Sequence, residues 1–125
     1  MKLTHLCIVT EDVKRLSDFY RTVLDIEPNE YGNDYVEFET EGAFLSIYSL
    51  KMQENITPNI IQAKSNKNLI LEFEVEDVDS EFFRIQKTGI EIAKKPTVQD
   101  WGTKSFYFKD SDGNIVSFYS NIEKK

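Results

Sequence analysis

The amino-acid sequence contains an internal repeat. The tripeptide Glu-Asp-Val at residues 11–13 recurs at residues 76–78, an offset of 65 residues. Nine residues that begin with Glu41 match nine that begin with Asp112, at an offset of 71 residues. The two matches occur in the same order along the chain, which a single chance match would not produce. The sequence therefore predicts two copies of one structural module.

The first copy has the pattern of a β-α-β-β-β module. Apolar side chains recur at helical spacing after Asp12, which predicts an amphipathic helix over about 12–24 with a capping residue at its start. Polar and apolar residues alternate over 34–39, which predicts a half-buried strand. The other predicted strands of this copy are 3–9, 26–31 and 43–49.

The second copy follows a polar segment. Residues 51–67 contain Pro58 and several Asn, which predicts a linker or flap with a short helical turn. A strand is then predicted at 69–75, followed by a helix that begins near Val78 and ends before Gly89. The remaining predicted elements are a short strand at 90–93, a loop at 96–102 and a final hairpin.

Length, charge and cysteine content restrict the class of protein. A chain of 125 residues with 40% hydrophobic residues fits one globular domain. Its net charge of −7 argues against a nucleic-acid partner, which requires a positive face. No apolar run approaches the roughly 20 residues of a membrane span. The single Cys7 fits a reducing compartment, so we expect a cytoplasmic protein with no membrane partner.

The final hairpin carries a motif that resembles a known superfamily. Residues 101–114 follow the pattern W-G-x(4–5)-F-x-D-x-D-G-N, which is similar to the vicinal-oxygen-chelate superfamily of glyoxalases, bleomycin-resistance proteins and extradiol dioxygenases. The resemblance implies an α+β fold, in which two repeated β-α-β-β-β modules with curled mixed sheets form a cup and the helices lie on the outer face. It implies one domain over 1–125, with module 1 at about 1–50, a linker at 51–67 and module 2 at about 68–121. It also implies a homodimer.

Two positions depart from the family pattern. Ser111 stands where a proline is usual between the two aspartates, and Asp25 stands where a glycine is common after the first helix. Both differences concern turns and leave the expected fold unchanged.

The family's metal ligands are largely missing. The matching positions of this chain are His5, Ser46, Ile70 and Ser117, and His5 is the only histidine of the sequence. Isoleucine has no donor atom, and a serine hydroxyl is a weak, neutral ligand. We therefore expect no cofactor, with a divalent metal at His5 as the alternative.

Strand alternation separates the faces of four predicted strands. One face of each strand is apolar and suited to the helices, and the opposite face is mixed. The mixed faces carry His5, Cys7, Val9, Phe44, Ser46, Tyr48, Ile70, Glu72, Glu74, Ile115, Ser117 and Tyr119. Aromatic walls with a few polar groups are typical of small-molecule sites. The residues predicted to bind a ligand are His5, Tyr48, Glu72, Trp101, Phe106 and Tyr119.

Three functional hypotheses follow from these residues. The first is a metal-free protein that binds a small organic molecule, such as an antibiotic or a cationic metabolite, in an aromatic and partly acidic cup. The second is a superfamily enzyme of lyase, isomerase or dioxygenase type, which uses either a metal at His5 or acid–base chemistry by His5 and Glu72. The third is a protein–protein or regulatory module without a small ligand.

Overall fold

The computed structural model describes residues 1–63 and 69–122. The chain divides into two compact units, Met1–Ser65 and Asn66–Lys125, here called module 1 and module 2. Among the described residues, no helix is both long and apolar enough to cross a membrane.

Module 1 is a four-stranded mixed sheet with a helix packed on one face. The strand order is β1-β4-β3-β2, with β1 parallel to β4 and the other pairs antiparallel. Helix α1 lies against β3 and β4. The elements are β1 (His5–Thr10), α1 (Val13–Leu24), β2 (Asn29–Tyr31), β3 (Tyr35–Phe38), β4 (Phe44–Ser49) and α2 (Leu50–Ile56).

Module 2 repeats this arrangement. Its sheet has the order β5-β8-β7-β6, again with one parallel pair, β5 with β8. Helix α3 packs against β6, β7 and β8. The elements are β5 (Ile70–Glu74), α3 (Val78–Gln86), β6 (Ile92–Val98), β7 (Thr103–Lys109) and β8 (Ile115–Asn121). The predicted α+β fold with two β-α-β-β-β modules is confirmed.

The repeated Glu-Asp-Val tripeptide marks the start of the main helix in each module. The Asp12 carboxylate accepts a hydrogen bond from the backbone N–H of Arg15 at 3.1 Å. The Asp77 carboxylate accepts from the N–H groups of Asp79 and Ser80 at 3.1 and 3.3 Å. These bonds satisfy N–H groups that have no partner inside the helix, and Val13 or Val78 then begins the buried face.

Each module has its own hydrophobic core between helix and sheet. In module 1, Tyr20 of α1 contacts Phe38 of β3, with ring centroids 6.5 Å apart. In module 2, Phe82 of α3 contacts Phe106 of β7, with ring centroids 5.3 Å apart. Complete burial of one such side chain stabilises a fold by about 1.5–3 kcal/mol. The largest fully buried side chains are Tyr20, Phe38, Phe106 and Phe108.

One sequence prediction about the connections is wrong. Strand β6 covers Ile92–Val98, so part of the predicted 96–102 loop, including Pro96, lies within a strand. Proline is tolerated there because β6 is an edge strand with register shifts on both sides of the Lys94–Tyr107 pair. The segment 51–67, predicted as a linker or flap with a short helical turn, begins within α2, which Ser49 caps by accepting from Met52 N–H at 3.1 Å. Residues 64–68 of that linker lie outside the described residues.

Candidate functional site

The sheet of module 1 has a mixed face opposite its helix, here called the polar face of module 1. Its position follows from strand register, since residues paired across neighbouring strands share a face. Cys7 pairs with Ser46, Ser46 pairs with Glu37, and Tyr48 pairs with Tyr35. The members of this face are His5, Cys7, Val9, Asn29, Tyr31, Tyr35, Glu37, Phe44, Ser46 and Tyr48.

The imidazole of His5 contacts Thr4, Glu37 and Phe44. Its Nδ1 atom lies 3.0 Å from Thr4 Oγ1, and its Nε2 atom lies 3.6 Å from Glu37 Oε2. Its ring stacks on Phe44, with centroids 5.0 Å apart and planes at 17°. A distance of 3.6 Å is too long for a direct hydrogen bond, so the contact with Glu37 is an ion pair only when His5 is protonated.

Glu37 is a functional candidate that the sequence interpretation missed. Its side chain is only 15% exposed, compared with 44% for His5. The alternation of 34–39 already placed Glu37 on a polar face of β3, but the neighbour of that face depends on register between strands. The register places Glu37 beside Ser46, and its charge raises the pKa of Tyr35, so the carboxylate lies close to that phenol.

Three tyrosines form a continuous row on the polar face of module 1. The rings of Tyr31 and Tyr35 lie 5.8 Å apart, and those of Tyr35 and Tyr48 lie 5.6 Å apart and nearly perpendicular. The Tyr35 hydroxyl lies 2.8 Å from Ser46 Oγ. Burial raises the pKa of Tyr35 above its ordinary value, the Ser46 bond opposes this rise, and the Glu37 charge adds to it. Tyr35 therefore stays a neutral phenol at physiological pH.

Cys7 lies on the same face with an accessible thiol. Partial desolvation by its neighbours raises the pKa of this thiol above its ordinary value. The residue is exposed, so water still reaches the thiol. A raised pKa means less thiolate at neutral pH, so the environment does not activate Cys7 as a nucleophile.

Module 2 has an equivalent mixed face opposite α3, here called the polar face of module 2. Ser117 of β8 pairs with Glu72 on one side and with Tyr107 on the other. Glu74 pairs with Tyr119, and its carboxylate accepts a hydrogen bond from Asn121 Nδ2 at 3.2 Å. Ser117 is 1% exposed, and its hydroxyl has no hydrogen-bond partner within 1–63 and 69–122.

The remaining residues predicted to bind a ligand occupy different environments. Tyr119 is half-buried on the polar face of module 2, and Glu72 is exposed there. Trp101 is 73% exposed in the turn between β6 and β7. Phe106, which was predicted to bind a ligand, does not lie on this face, because it pairs with Phe118 and packs against Phe82 of α3 in the core. Tyr107 takes the place on the polar face that Phe106 was expected to occupy.

The residues at the four family ligand positions do not fit a catalytic divalent metal. Both His5 nitrogens already face protein oxygen atoms, and Ser46 is bonded to Tyr35. Ile70 has no donor atom, and Ser117 offers a neutral hydroxyl. In the part of the chain that the structure describes, no group of three or more His, Cys, Asp or Glu residues is arranged to hold a metal ion.

Known proteins share both the sequence pattern and the fold. Residues 3–123 match the family model described as a glyoxalase-like domain. The chain is 23% identical over 128 residues to the uncharacterized protein YraH of Bacillus subtilis (strain 168), covering 98% of this chain and 100% of YraH.

Two solved structures have the same fold. One is a glyoxalase/bleomycin resistance protein/dioxygenase family enzyme from Burkholderia phytofirmans PsJN, with a TM-score of 0.86, 17% identity, and coverage of 97% of this chain and 99% of that chain. The other is a glyoxalase/bleomycin resistance protein/dioxygenase from Nocardioides, with a TM-score of 0.82, 22% identity, and coverage of 100% and 86%. From the family match over nearly its whole length, the chain belongs to the glyoxalase-like domain family of the vicinal-oxygen-chelate superfamily.

Proposed function

We propose that this protein binds a small organic molecule, such as an antibiotic or a cationic metabolite, without a catalytic metal. The observation that carries the proposal is the polar face of module 1, where the Tyr31–Tyr35–Tyr48 row lies beside the Glu37 carboxylate. Aromatic rings supply apolar contact area and attract cations through their faces. A carboxylate that is 15% exposed adds a negative charge that water screens incompletely.

The donor atoms of module 1 support a site without metal. His5 Nε2 and Glu37 Oε2 would offer a metal only two strong ligands, so a complete site would require another side chain to move into place. Ser46 would have to give up its bond to Tyr35 for a hydroxyl–metal contact that supplies no charge. Binding by sequestration requires neither change.

The proposal also covers the compartment, the oligomeric state and the partners of the protein. An accessible thiol at the only cysteine suits a reducing compartment, so we propose a cytoplasmic protein. The superfamily resemblance supports a homodimer, and the net charge of −7 supports the absence of a nucleic-acid partner.

A ligand screen on the intact protein tests the binding function. The protein is purified without chelator, and thermal shift is measured with antibiotics, small amines and divalent ions, because a ligand of the folded state raises the melting temperature. We expect an organic compound to stabilise the protein and Tyr48→Ala to abolish most of that shift. Phe83→Ala is the matched control, since Phe83 is an aromatic residue that is 59% exposed and belongs to α3, which packs opposite the polar face of module 2. Stoichiometric metal that His5→Ala removes would contradict the metal-free proposal.

The second candidate function is acid–base catalysis, and the 3.6 Å contact between His5 and Glu37 favours it. Glu37 would orient the imidazole and His5 would exchange the proton. Two other predictions belong to the same enzyme class. One is acid–base chemistry by His5 with Glu72, and the other is a metal at His5 that other ligands complete. Incubation of the protein with each compound that the screen identifies, followed by mass spectrometry, tests it. Turnover that both His5→Gln and Glu37→Gln abolish would establish an enzyme, and unchanged ligand mass would leave binding as the function.

A further inference from the structure

The two modules place the same residue in two different environments. Ser46 of module 1 and Ser117 of module 2 are repeat equivalents, and each is 1% exposed. Ser46 Oγ lies 2.8 Å from the Tyr35 hydroxyl. Ser117 Oγ is buried without a hydrogen-bond partner among the described residues. A buried hydroxyl that lacks a partner is unfavourable, so native structures rarely keep one without a reason.

The difference originates in a single cross-strand position. Tyr35 pairs with Tyr48 in module 1, and Ser105 pairs with Tyr119 at the corresponding place in module 2. Serine lacks the phenol with which Tyr35 reaches diagonally to Ser46. The Ser105 hydroxyl instead accepts a hydrogen bond from Gln99 Nε2 at 3.2 Å. Module 2 therefore has the buried serine without the partner that module 1 provides.

We infer that Ser117 and Glu72 form a hydrogen-bonding subsite in module 2 that takes the protonated amino group of a small cationic ligand. This inference rests on the proposed function and adds the class of ligand and its anchoring residues.

The chemistry of the flanking residues selects an amine. Glu72 pairs with Ser117 across β5 and β8 and is exposed, so its carboxylate is able to turn toward an arriving ligand. An ammonium group has three donors and no acceptor, which suits a serine oxygen and a carboxylate. An anion would be repelled by Glu72 and by Glu74 beside it. Lys109 lies nearby on β7, but its ammonium group is paired with Glu91 at 3.3 Å.

The aromatic side chains of this face provide the rest of the contact. Tyr107 pairs with Ser117 on the side opposite Glu72, and Tyr119 lies two residues along β8. Both tyrosines are half-buried. A ligand with an amino group next to an aromatic ring would place the amine at Ser117 and the ring against a tyrosine.

The experiment is a set of ¹H–¹⁵N titrations of the intact protein with three ring compounds that differ in charge. Benzylamine is the cationic probe, benzyl alcohol the neutral probe and benzoate the anionic probe. We expect benzylamine to shift the amide signals of Ser117 and Glu72 with the highest affinity of the three. Ser117→Ala and Glu72→Gln should each weaken benzylamine binding about ten- to hundredfold, as expected for loss of one hydrogen bond to a charged group. Ser120→Ala is the matched control and should leave the affinity unchanged, because Ser120 is a serine of the same strand that lies on the opposite face of the sheet.

The possible outcomes separate this inference from the proposed function. Benzylamine shifts at the polar face of module 1 that depend on Tyr48 and not on Ser117 would overturn the inference and keep the proposed function. Equal or tighter binding of benzoate would overturn the amine assignment. An unchanged benzylamine affinity in both Ser117→Ala and Glu72→Gln would overturn the subsite itself, since neither variant removes a core contact.

Discussion

The hydroxyl of Tyr35 lies 2.8 Å from Ser46 Oγ, which joins β3 to β4 diagonally on the polar face of module 1. The register places Tyr35 opposite Tyr48 and Ser46 opposite Glu37, so the bond connects two neighbouring cross-strand pairs. The equivalent hydroxyl in module 2, Ser117 Oγ, lacks such a bond to any described residue. This pair of serines provides an internal comparison of a satisfied and an unsatisfied buried hydroxyl.

Removal of the two serine hydroxyls should have unequal effects on stability. Ser46→Ala leaves the half-buried Tyr35 hydroxyl without this partner, and we expect the free energy of unfolding to fall by about 1 kcal/mol. Ser117→Ala removes a hydroxyl that gains no bond in the folded protein, so the free energy of unfolding should stay within about 0.5 kcal/mol or rise. Urea denaturation of the two variants measures both values. Equal losses would mean that Ser117 has a partner of the same strength.

Asp25 is expected to limit the stability of module 1 through its backbone conformation. It ends α1 in the left-handed region, with φ 56° and ψ 44°, where a Cβ atom is unfavourable. Asp25→Gly should raise the free energy of unfolding by about 0.5–1 kcal/mol, measured by urea denaturation.

Gly89, which follows α3, tests the same cost of a Cβ atom in the left-handed conformation by the opposite substitution. Its φ is +82°, and a Cβ atom built there would meet no described atom within 4 Å. Gly89→Ala should therefore lower the free energy of unfolding by about 1 kcal/mol for backbone reasons alone. A gain in Gly89→Ala, or a loss in Asp25→Gly, would contradict the assignment of these energies to the left-handed conformation.

The main helices were predictable because their signals are local. The start of α1 follows from Asp12 and the helical spacing of apolar residues after it, and α3 follows from Asp77 in the same way. The limits of β6 were not predictable, because a proline inside a strand is compatible only with an edge position, and strand order is a tertiary property.

The sequence predicted which strand faces carry the candidate site, but it predicted fewer of the contacts between side chains on those faces. Alternation placed Tyr48 and Tyr119 on mixed faces, where the structure has them. It did not place Phe106, because aromatic residues occupy both sides of β7 and their sequence does not show which side meets the helix. The contact of His5 with Glu37 depends on the register of β4 between β1 and β3, which no local pattern specifies.

The Asp110 carboxylate organises the turn between β7 and β8. It accepts hydrogen bonds from the backbone N–H groups of Asp112 and Asn114 at 2.9 and 2.8 Å, and from Asn114 Nδ2 at 2.8 Å. Asp110 is 5% exposed. Asp110→Ala would leave three partly buried donors without this acceptor, and we expect the free energy of unfolding to fall by about 2–3 kcal/mol.

Asp112 is the control for Asp110 because it lies in the same turn with a different role. Only its backbone N–H enters the bonds to Asp110, and its Oδ2 atom is buried without a partner among the described residues. Asp112→Ala should therefore change the free energy of unfolding by less than about 1 kcal/mol. Thermal and urea denaturation of both variants measure the difference, and equal losses would show that the turn depends on its total charge and not on the Asp110 bonds.

The thiol of Cys7 should react slowly for an exposed cysteine. Desolvation raises the pKa of Cys7, so the folded protein holds less thiolate than the unfolded chain at the same pH. Stability from the neutral thiol is fully present below the unfolded-state pKa and is lost as the pH rises through the higher folded-state pKa.

Iodoacetamide labelling followed by mass spectrometry should be several-fold slower in native protein than in urea at pH 8. Its rate should increase with pH to a midpoint above the ordinary thiol pKa. Because Cys7 is the only cysteine, every adduct reports on it, and Cys7→Ser should give none. Native labelling as fast as in urea would show that the thiol is fully solvated and that the polar face of module 1 leaves it open to water.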